Sequence, residues 1–564
     1  MQLVAYGAQD LYLSGNPQMT FFKSVYMRYT NFSMEYIRQD FDKKPNLNTT
    51  TPTTYTAKIG RNGDLIGDIY VVIDLPNIFS TDIDNFEWTK DIGHVMIKSA
   101  ELLIGGQIID KQYGIWMNIW NEITPFNPSS FKRMVGRVES LTNPFPYYGS
   151  IDQGVQTIED PLPGQIVYPS IPARRLYVPL EFWFCKNPGL FLPLIALQYN
   201  EVSIKIEFRP LNELFKIGSP PVSPAKLFNN PATPGEGKTN YEELFTLLNG
   251  EWGEDNIFWR YVNGTADPGV WGQNIYLDIN YIFLDDEERR KFALSNHSYL
   301  IKQVQSRTFN GLSGTERVKL ELQHPISEMM WVFRRDDVSQ NNNWTNYTNF
   351  REPSDNAQIR ELAECYNCLK RLDCAACPVE DNVYKSLRSI TLKSGLTVEE
   401  FWTVINNDDT NNTANTQQNA FDIDINIMYK AKLILNTHDR MDEKDELFFD
   451  SVQTYKYHGQ SPIDDPRKIG IYVYSFAFDP ESYKQPSGTI NMSRIEDAIL
   501  EVVLKNPPQE NIEVNANPNL DPDSPIYELG QITQVGLKYD MYFFATNYNI
   551  LRIRGGMGGI AFAN

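Results

Sequence analysis

Four cysteines form the one cluster in this 564-residue sequence whose residue types and spacing could hold a metal ion. Cys365, Cys368, Cys374 and Cys377 follow the pattern C-x2-C-x5-C-x2-C, and only Cys185 lies outside it. Two CxxC pairs can supply four thiolates to a tetrahedral zinc ion, although the five-residue spacer is shorter than usual. Two local disulfides and four free thiols remain alternatives, because cytosolic synthesis disfavours oxidation whereas exposure outside a cell would permit it. In all three cases we expect the cluster to fasten a loop.

A second candidate motif resembles a phosphate-binding loop. The sequence ATPGEGKT ends at Thr239, so Lys238 would contact the β- and γ-phosphates and Thr239 a magnesium ion. A phosphate loop requires a buried hydrophobic strand leading into it, whereas this sequence follows a polar, proline-rich stretch. We therefore interpret it as a surface loop, and a hydrolase that uses it is the least favoured function.

The remaining catalytic residue types show no suitable spacing. No two of the five histidines stand at a metal-ligand spacing such as HExxH, and no GxSxG sequence occurs. We expect each histidine to be a solvated or hydrogen-bonded structural residue. The histidines are His94, His297, His324, His438 and His458. The sequence gives no positive support for an enzyme and requires no cofactor, the zinc alternative at the cysteines aside.

Charge and composition narrow the class of protein further. The formal net charge is −20, which argues against a nucleic-acid groove because such a groove needs concentrated lysine and arginine. Hydrophobic residues make up 41% and charged residues 22%, as in ordinary globular proteins. The amino terminus lacks a basic run followed by an apolar core, and no stretch of 18 or more apolar residues occurs. We expect synthesis and folding in the cytosol.

The elements that must position any functional residue are predominantly strands. EVSIKIEF, from Glu201, places Val202, Ile204, Ile206 and Phe208 on one face, and FDIDINIMY, from Phe421, alternates in the same way. Further strands are predicted by the same logic at 69–73, 97–104, 275–284, 318–322, 329–333, 471–478, 499–504 and 548–553. DDEERRKFALSN, residues 285–296, is predicted to be a helix that connects two comparable β domains.

Two long polar segments, about 211–270 and about 336–420, are predicted to be surface-loop insertions. The N-x-[ST] sequences at Asn263, Asn343 and Asn346 fall within them and are interpreted as polar loop residues. An alternative function, glycan binding or host attachment, would use exposed aromatic side chains of the second insertion to stack on sugars. The aromatic residues considered are Trp344, Tyr347 and Tyr366, for which packing in a core or turn is the commoner fate.

Several long strings, in order from residue 2 to residue 564, resemble one protein family. They include QLVAYGAQDLYLSGNPQMTFFKSVYMRYTNF, RNGDLIGDIYVVIDLP, ELLIGGQIIDKQYG, LYVPLEFWFCKNPGLFLPLIALQYNEV, YIFLDDEERRKFA, YVYSFAFDPESYKQPSGTINMSRI and NYNILRIRGGMGGIAFAN. Together they resemble the major capsid protein of nucleocytoplasmic large DNA viruses. The two insertions and the cysteine cluster are additions to that family's common core, and Ile490 stands where the family often has cysteine.

The resemblance implies an all-β fold of two consecutive eight-stranded antiparallel jelly rolls. It places an amino-terminal arm at 1–19, the first jelly roll at 20–284, a helical connector at 285–296 and the second jelly roll at 297–564. It also implies homotrimers, which form pseudo-hexagonal capsomers that tile an icosahedral shell. The implied location is the virion capsid, with synthesis and assembly in the host cytoplasm.

The implied partners are further copies of the chain, minor capsid proteins and a penton protein, with an inner viral membrane nearby and no direct contact with nucleic acid. In the resembling proteins the arm lies at the inner face, so Tyr6, Tyr12 and Pro17 are predicted to contact partners there. The alternative is a strand or tail that only closes the first domain. The insertions are expected to face outward.

Overall fold

The computed structural model describes most of both predicted domains but little of the two predicted insertions. The described residues are 7–24, 26–49, 51–78, 86–124, 127–142, 169–217, 273–349, 426–436, 438–458, 470–505 and 538–562. The four clustered cysteines, the ATPGEGKT loop, Tyr6, Asn263 and Tyr366 lie outside these residues, and so do their predictions.

Two antiparallel sheets face each other in the first half of the chain. One has the strand order β1-β11-β3-β7, with β8 paired to β3, and the other has the order β2-β9-β5-β6, while β4 pairs with β10. The strands are Phe32–Gln39 (β1), Thr53–Lys58 (β2), Leu65–Leu75 (β3), Phe86–Trp88 (β4), Ile97–Ile104 (β5), Gln107–Tyr113 (β6), Arg174–Pro179 (β7), Leu192–Pro193 (β8), Val202–Phe208 (β9), Phe215–Ile217 (β10) and Ile275–Leu284 (β11).

The second half repeats this arrangement. One sheet has the order β12-β21-β14-β18, with β19 paired to β14 and β22 to β21, and the other has the order β13-β20-β15-β16, with β17 paired to β15. The strands are His297–Leu312 (β12), Thr315–Lys319 (β13), Pro325–Arg335 (β14), Met428–Leu435 (β15), His438–Asp439 (β16), Lys444–Asp445 (β17), Ile471–Ser475 (β18), Ile490–Asn491 (β19), Ala498–Leu504 (β20), Tyr539–Arg554 (β21) and Met557–Ile560 (β22).

Helices among the described residues are short and connect strands. The α-helices are Asp10–Ser14 (α1), Ile92–Met96 (α2), Gly114–Ile123 (α3), Pro128–Val135 (α4), Glu139–Thr142 (α5), Asp286–Leu294 (α6), Val338–Asn341 (α7) and Gln453–Tyr457 (α8), the last preceded by a π-helical turn at Phe448–Val452. Turns of 3₁₀ helix occupy Trp183–Cys185, Pro188–Leu190, Leu194–Ala196, Leu211–Glu213 and Met492–Arg494. Within the described residues, no helix has the length and apolar character needed to cross a membrane.

The predicted connector helix is present as α6. Asp285 caps it, since its side chain accepts a hydrogen bond from the Glu288 backbone N–H, and three acidic residues in the first turn favour the positive end of the helix dipole. β9 likewise has the predicted alternation, because Val202, Ile204, Ile206 and Phe208 are all buried while the residues between them are partly exposed. Strong one-sided patterns therefore predicted local structure correctly.

Two strand predictions need correction. The strand expected at 318–322 is Thr315–Lys319. Residues 421–425 of the strand predicted at FDIDINIMY lie outside the described residues. Ile427 is buried as predicted, whereas Met428 is buried and Tyr429 is 53% exposed, which reverses the predicted faces of those two residues. The pairing of β15 with β20 shifts between Met428 and Lys430, and such a bulge turns the following side chains to the opposite face of the sheet.

Candidate functional site

The described residues show neither a metal-binding cluster nor a reactive thiol. They contain no group of three or more His, Cys, Asp or Glu side chains arranged to hold a metal ion. Cys185 is the one cysteine that they include, and its Sγ lies 3.5 Å from the Gly67 carbonyl oxygen. Burial raises the pKa of this thiol well above its usual value, which keeps it protonated and poorly nucleophilic.

The amino-terminal arm carries large apolar side chains on its surface. Tyr12 is 92% exposed, Pro17 is exposed, and α1 buries none of its residues. Further large apolar residues that are more than half exposed are Leu11, Leu13 and Met19 in the arm, and Phe21, Phe22, Tyr26, Met27 and Tyr29 directly after it. A contiguous apolar segment of this kind marks a contact site in soluble proteins. The described part of the arm, 7–19, forms no strand, and neither do the described residues from 20 to 31.

A broad apolar contact joins the two halves. The outer face of the sheet β12-β21-β14-β18 packs against the first half, and residues of that face belong to the same hydrophobic core as Trp116 and Trp120 of α3. The residues on this face are Ile301, Met330, Val332, Ile471, Val473, Phe544, Leu551 and Ile553. The rings of Tyr113 and Phe544 lie 6.1 Å apart across the contact. This shared core holds the two sandwiches in one fixed arrangement.

Polar groups from residues 342–347 reinforce this contact. Asn342 Nδ2 donates to the carbonyl oxygens of Asn212 (2.8 Å) and Phe215 (2.7 Å). Trp344 Nε1 donates to the Glu213 carbonyl oxygen at 2.8 Å. The Arg209 guanidinium lies 4.2 Å from the centroid of the Trp344 ring, a geometry that a cation–π interaction favours.

Tyr347 extends the bridge into the first half. Its hydroxyl donates to Asn118 Oδ1 at 2.9 Å, and Asn118 Nδ2 donates to Asp91 Oδ2 at 3.2 Å. Asp91 in turn pairs with Arg137, which also contacts Glu122. The positive charge of Arg137 lowers the pKa of Asp91 in spite of burial. Tyr347, Asn118, Asp91 and Arg137 are therefore linked in one buried polar network between the halves.

For the described residues 342–349, these contacts correct the prediction that the second insertion is an exposed loop. Tyr347, Asn343 and Asn346 are only 6%, 7% and 4% exposed, and Trp344 is partly buried. Neither Trp344 nor Tyr347 is therefore available to stack on a sugar, and the two asparagines are not surface loop residues. Polar composition was misleading because Asn342, Trp344 and Tyr347 donate hydrogen bonds to groups of the other half rather than to water.

Asp110, at the same contact, is a buried carboxyl group. Its Oδ1 accepts hydrogen bonds from the backbone N–H groups of Val304 (3.3 Å) and Lys111 (3.0 Å), and its Oδ2 accepts one from Gln112 Nε2 (3.2 Å). Burial raises the pKa of Asp110 to about 7, although these hydrogen bonds act in the opposite direction. The protonation of Asp110 is therefore coupled to the contact between the halves.

Lys302, Glu328 and His458 form a second buried ionisable cluster. His458 Nε2 lies 3.6 Å from Glu328 Oε2, and its ring meets Trp120 of α3 edge to face. Burial lowers the pKa of Lys302 to about 8 and raises the pKa of Glu328. Perturbed groups often mark catalytic sites, but these lie fully packed where the two halves meet, so burial at a structural contact accounts for them.

The sequence interpretation did not identify this contact between the halves. One signal was present: ISEMMWVF, from Ile326, is apolar on both faces, as expected for a strand covered on both sides. It predicts that something covers the outer face of β14, but it does not say what.

Two protein families match the first and second halves of the chain. Residues 20–285 match the family described as "Major capsid protein N-terminus", and residues 288–559 match "Large eukaryotic DNA virus major capsid protein". The major capsid protein of Phaeocystis pouchetii virus is 34% identical, over 100% of this chain and 99% of that protein. The major capsid protein of Paramecium bursaria Chlorella virus 1 is 31% identical, over 100% of this chain and 99% of that protein.

A solved structure has the same fold. The chain in "PBCV-1 virus capsid, quasi-atomic model" is 26% identical and superposes with a TM-score of 0.56, over 97% of this chain and 100% of that chain. Together with the repeated strand order, this match confirms the predicted double jelly roll.

Proposed function

The chain belongs to the large eukaryotic DNA virus major capsid protein family, and we propose that it forms homotrimers that serve as pseudo-hexagonal capsomers. Such capsomers would tile the icosahedral shell of a large double-stranded DNA virus. The observation that carries this proposal is the repeated sandwich: two sheet pairs of the same strand order are joined through one hydrophobic core. Three copies would supply six similar modules, the number that a hexagonal block needs.

This role is structural rather than catalytic. A lattice-forming protein needs rigid modules and self-complementary surfaces, and the packed contact between the halves supplies that rigidity. Its place in the virion is the capsid, as for the relatives. Assembly in the host cytoplasm remains part of the proposal.

The amino-terminal arm is proposed to bind partners at the inner face of the shell. Its support is the exposed apolar surface around Tyr12 and Pro17, which would be costly to leave in water on an assembled particle. Minor capsid proteins are the proposed occupants, with the inner membrane nearby and a penton protein at the vertices. Tyr12→Ser should reduce incorporation of minor capsid proteins and leave trimers intact; unchanged incorporation would contradict this role.

The cysteine cluster is proposed to fasten a loop, by zinc or by local disulfides. Metal analysis together with thiol titration of the full chain tests this proposal. One zinc ion per chain, or four thiols that react only after reduction, would support a fastened loop. Absence of zinc together with four freely reactive thiols would contradict both cross-linked forms.

Light scattering on the purified chain tests the oligomer directly. The expected result is a stable particle of three chain masses at micromolar concentration. A stable monomer under the same conditions would contradict the capsomer proposal.

A further inference from the structure

The two halves repeat each other residue by residue in their larger sheets. β3 pairs Ile69 with Ile279 of β11, and β14 pairs Met329 with Ala545 of β21; in both pairs the register then shifts at the same place. The short strands agree as well, since Ile66 pairs with Leu192 and Ile326 pairs with Ile490. Each position of the first sheet therefore has a defined counterpart in the second.

The outer faces of these equivalent sheets have different surroundings. Met330 and Val332 of β14 are buried in the core shared with the first half. Their counterparts are Tyr70 and Val72 of β3, which do not belong to either of the two large cores found among the described residues. The outer face of the sheet β12-β21-β14-β18 is therefore covered by the first half, whereas the equivalent face of the sheet β1-β11-β3-β7 belongs to neither of those cores.

Tyrosines are the main large side chains on the outer face of the sheet β1-β11-β3-β7. We call Tyr36, Tyr70, Tyr177 and Tyr276 the tyrosine surface, in which Tyr36 is exposed, Tyr70 and Tyr177 are partly buried, and Tyr276 is only 9% exposed beside the buried Val72. Neighbouring rings lie 6.3 Å apart for Tyr36 and Tyr70 and 6.5 Å apart for Tyr70 and Tyr177. Tyr36 is 51% exposed, and Met34 beside it on β1 is 58% exposed. Large, stiff aromatic side chains of this kind are enriched in protein interfaces, where they bury area at low entropic cost.

The segment that would cover the tyrosine surface can be identified from the same repeat. Inside the chain, β6 and α3 cover the sheet β12-β21-β14-β18. The Tyr113 ring lies 6.1 Å from the Phe544 ring, and Trp120 belongs to the same core as the outer face of that sheet. The equivalent strand is β17, because β6 pairs with β5 as β17 pairs with the equivalent strand β15, and a helical segment follows each. After β17 this segment is Phe448–Tyr457, which comprises the π-helical turn and α8.

That segment carries an exposed apolar stripe. Leu447 is 58%, Val452 45% and Tyr455 83% exposed, and we call these three residues the helix surface. Charges of both signs flank each surface. Lys444, Lys456, Asp445 and Glu446 lie beside the helix surface, and Asp68, Asp278 and Arg38 lie beside the tyrosine surface. The two surfaces are therefore alike in presenting large apolar side chains within a mixed charged rim.

We propose that the helix surface of one chain binds the tyrosine surface of a second copy, in the way that α3 meets the second sheet within the chain. This inference rests on the proposed homotrimer and names its contact. The contact is heterologous, because each copy offers a different surface to each neighbour, and such a contact can close into a ring of three. Contacts within and between chains would then alternate around the ring and resemble each other.

Two surface variants test the contact. Tyr36→Lys with Asp278→Lys changes only the tyrosine surface and places two positive charges in the proposed contact. Val452→Glu with Tyr455→Glu changes only the helix surface, at exposed positions. Tyr199→Glu is the matched control, since Tyr199 is an equally large aromatic residue, 76% exposed, in a loop that belongs to neither surface.

Light scattering after size-exclusion chromatography should find trimers for wild type and control and monomers for each double variant. Mixing the two double variants should give a dimer and no trimer, because one intact pair of surfaces remains. Circular dichroism checks that each variant is folded. The single variants Tyr36→Ser and Tyr455→Ser avoid added charge and should each weaken trimerisation about tenfold.

These measurements distinguish an error in the assigned contact surfaces from an error in the proposed homotrimer. Trimeric double variants beside trimeric wild type would overturn the assignment of these surfaces and leave the homotrimer standing. Failure of the mixed variants to form a dimer at high concentration would also overturn it. A monomeric wild-type chain would instead contradict the proposed function on which the inference rests.

Discussion

Replacing Asp110 by asparagine should change how the stability of the protein depends on pH. Asp110 is 4% exposed, and burial raises its pKa to about 7 from the ordinary value of 3.8. A carboxyl group whose pKa is higher in the folded state binds its proton more tightly there. Its contribution to stability is thus greatest below pH 3.8, decreases as the pH rises towards 7, and is constant above that.

The size of the effect follows from the two pKa values. The interval between 3.8 and about 7 corresponds to about 4 kcal/mol of unfolding free energy. About 2 kcal/mol of this lies between pH 5.5 and pH 8, a range that keeps the chain above its sequence pI of 4.8. Asparagine resembles the protonated acid and does not titrate. The variant therefore does not lose this unfolding free energy as the pH rises.

Urea unfolding of wild type and Asp110→Asn at the two pH values measures the effect. Asparagine keeps the oxygen that accepts from Val304 and Lys111 but turns an amide towards Gln112, which has a cost independent of pH. That cost cancels when the difference between variant and wild type is compared at the two pH values. The difference should shift by about 2 kcal/mol in favour of the variant at pH 8.

Asp10→Asn, on the exposed arm, is the control for loss of one negative charge. A difference between Asp110→Asn and wild type that is the same at pH 5.5 and pH 8 would refute the reasoning. It would mean that Asp110 is hydrated in the folded protein and titrates as in the unfolded chain.

Three further predictions concern packing, the bridge between the halves and assembly. Trp331→Ala should lower the unfolding free energy by about 3–5 kcal/mol, because the buried ring contacts Phe449, Tyr472 and Phe543; a loss below about 1 kcal/mol in urea unfolding would contradict this packing. Tyr347→Phe should cost about 1–3 kcal/mol, because it removes the donor to buried Asn118 Oδ1; hydrogen exchange should quicken around 342–348, and unchanged exchange would count against the bridge. Since each chain carries a net charge of −20, lateral association of trimers should strengthen with added salt, measured by light scattering; dissociation of lateral contacts by salt while trimers persist would require specific ion pairs that outweigh the repulsion.

Sequence patterns predicted the elements whose burial is one-sided. β9 alternates without interruption, and α6 begins at an aspartate that caps it, so local rules were enough for both. β15 was predicted less well because the bulge after Met428 reverses the faces, and a bulge depends on pairing with a distant strand.

The contact between the halves depended on information that no local pattern contains. Trp344 and Tyr347 lie among asparagines and threonines, a composition typical of a solvated loop, yet their partners are Glu213 and Asn118 in the other half. Apolar residues on both faces of β14 indicated a cover but did not identify α3 as that cover. Long-range topology, rather than propensity, determines such contacts.

Electron microscopy of the assembled particle tests the central claim most directly. If the chain is the shell-forming subunit, averaged images should contain pseudo-hexagonal blocks of three copies, with two jelly rolls per copy fitting the density of the outer shell. Blocks with a different number of copies, or an outer shell whose density this fold does not fit, would contradict the account.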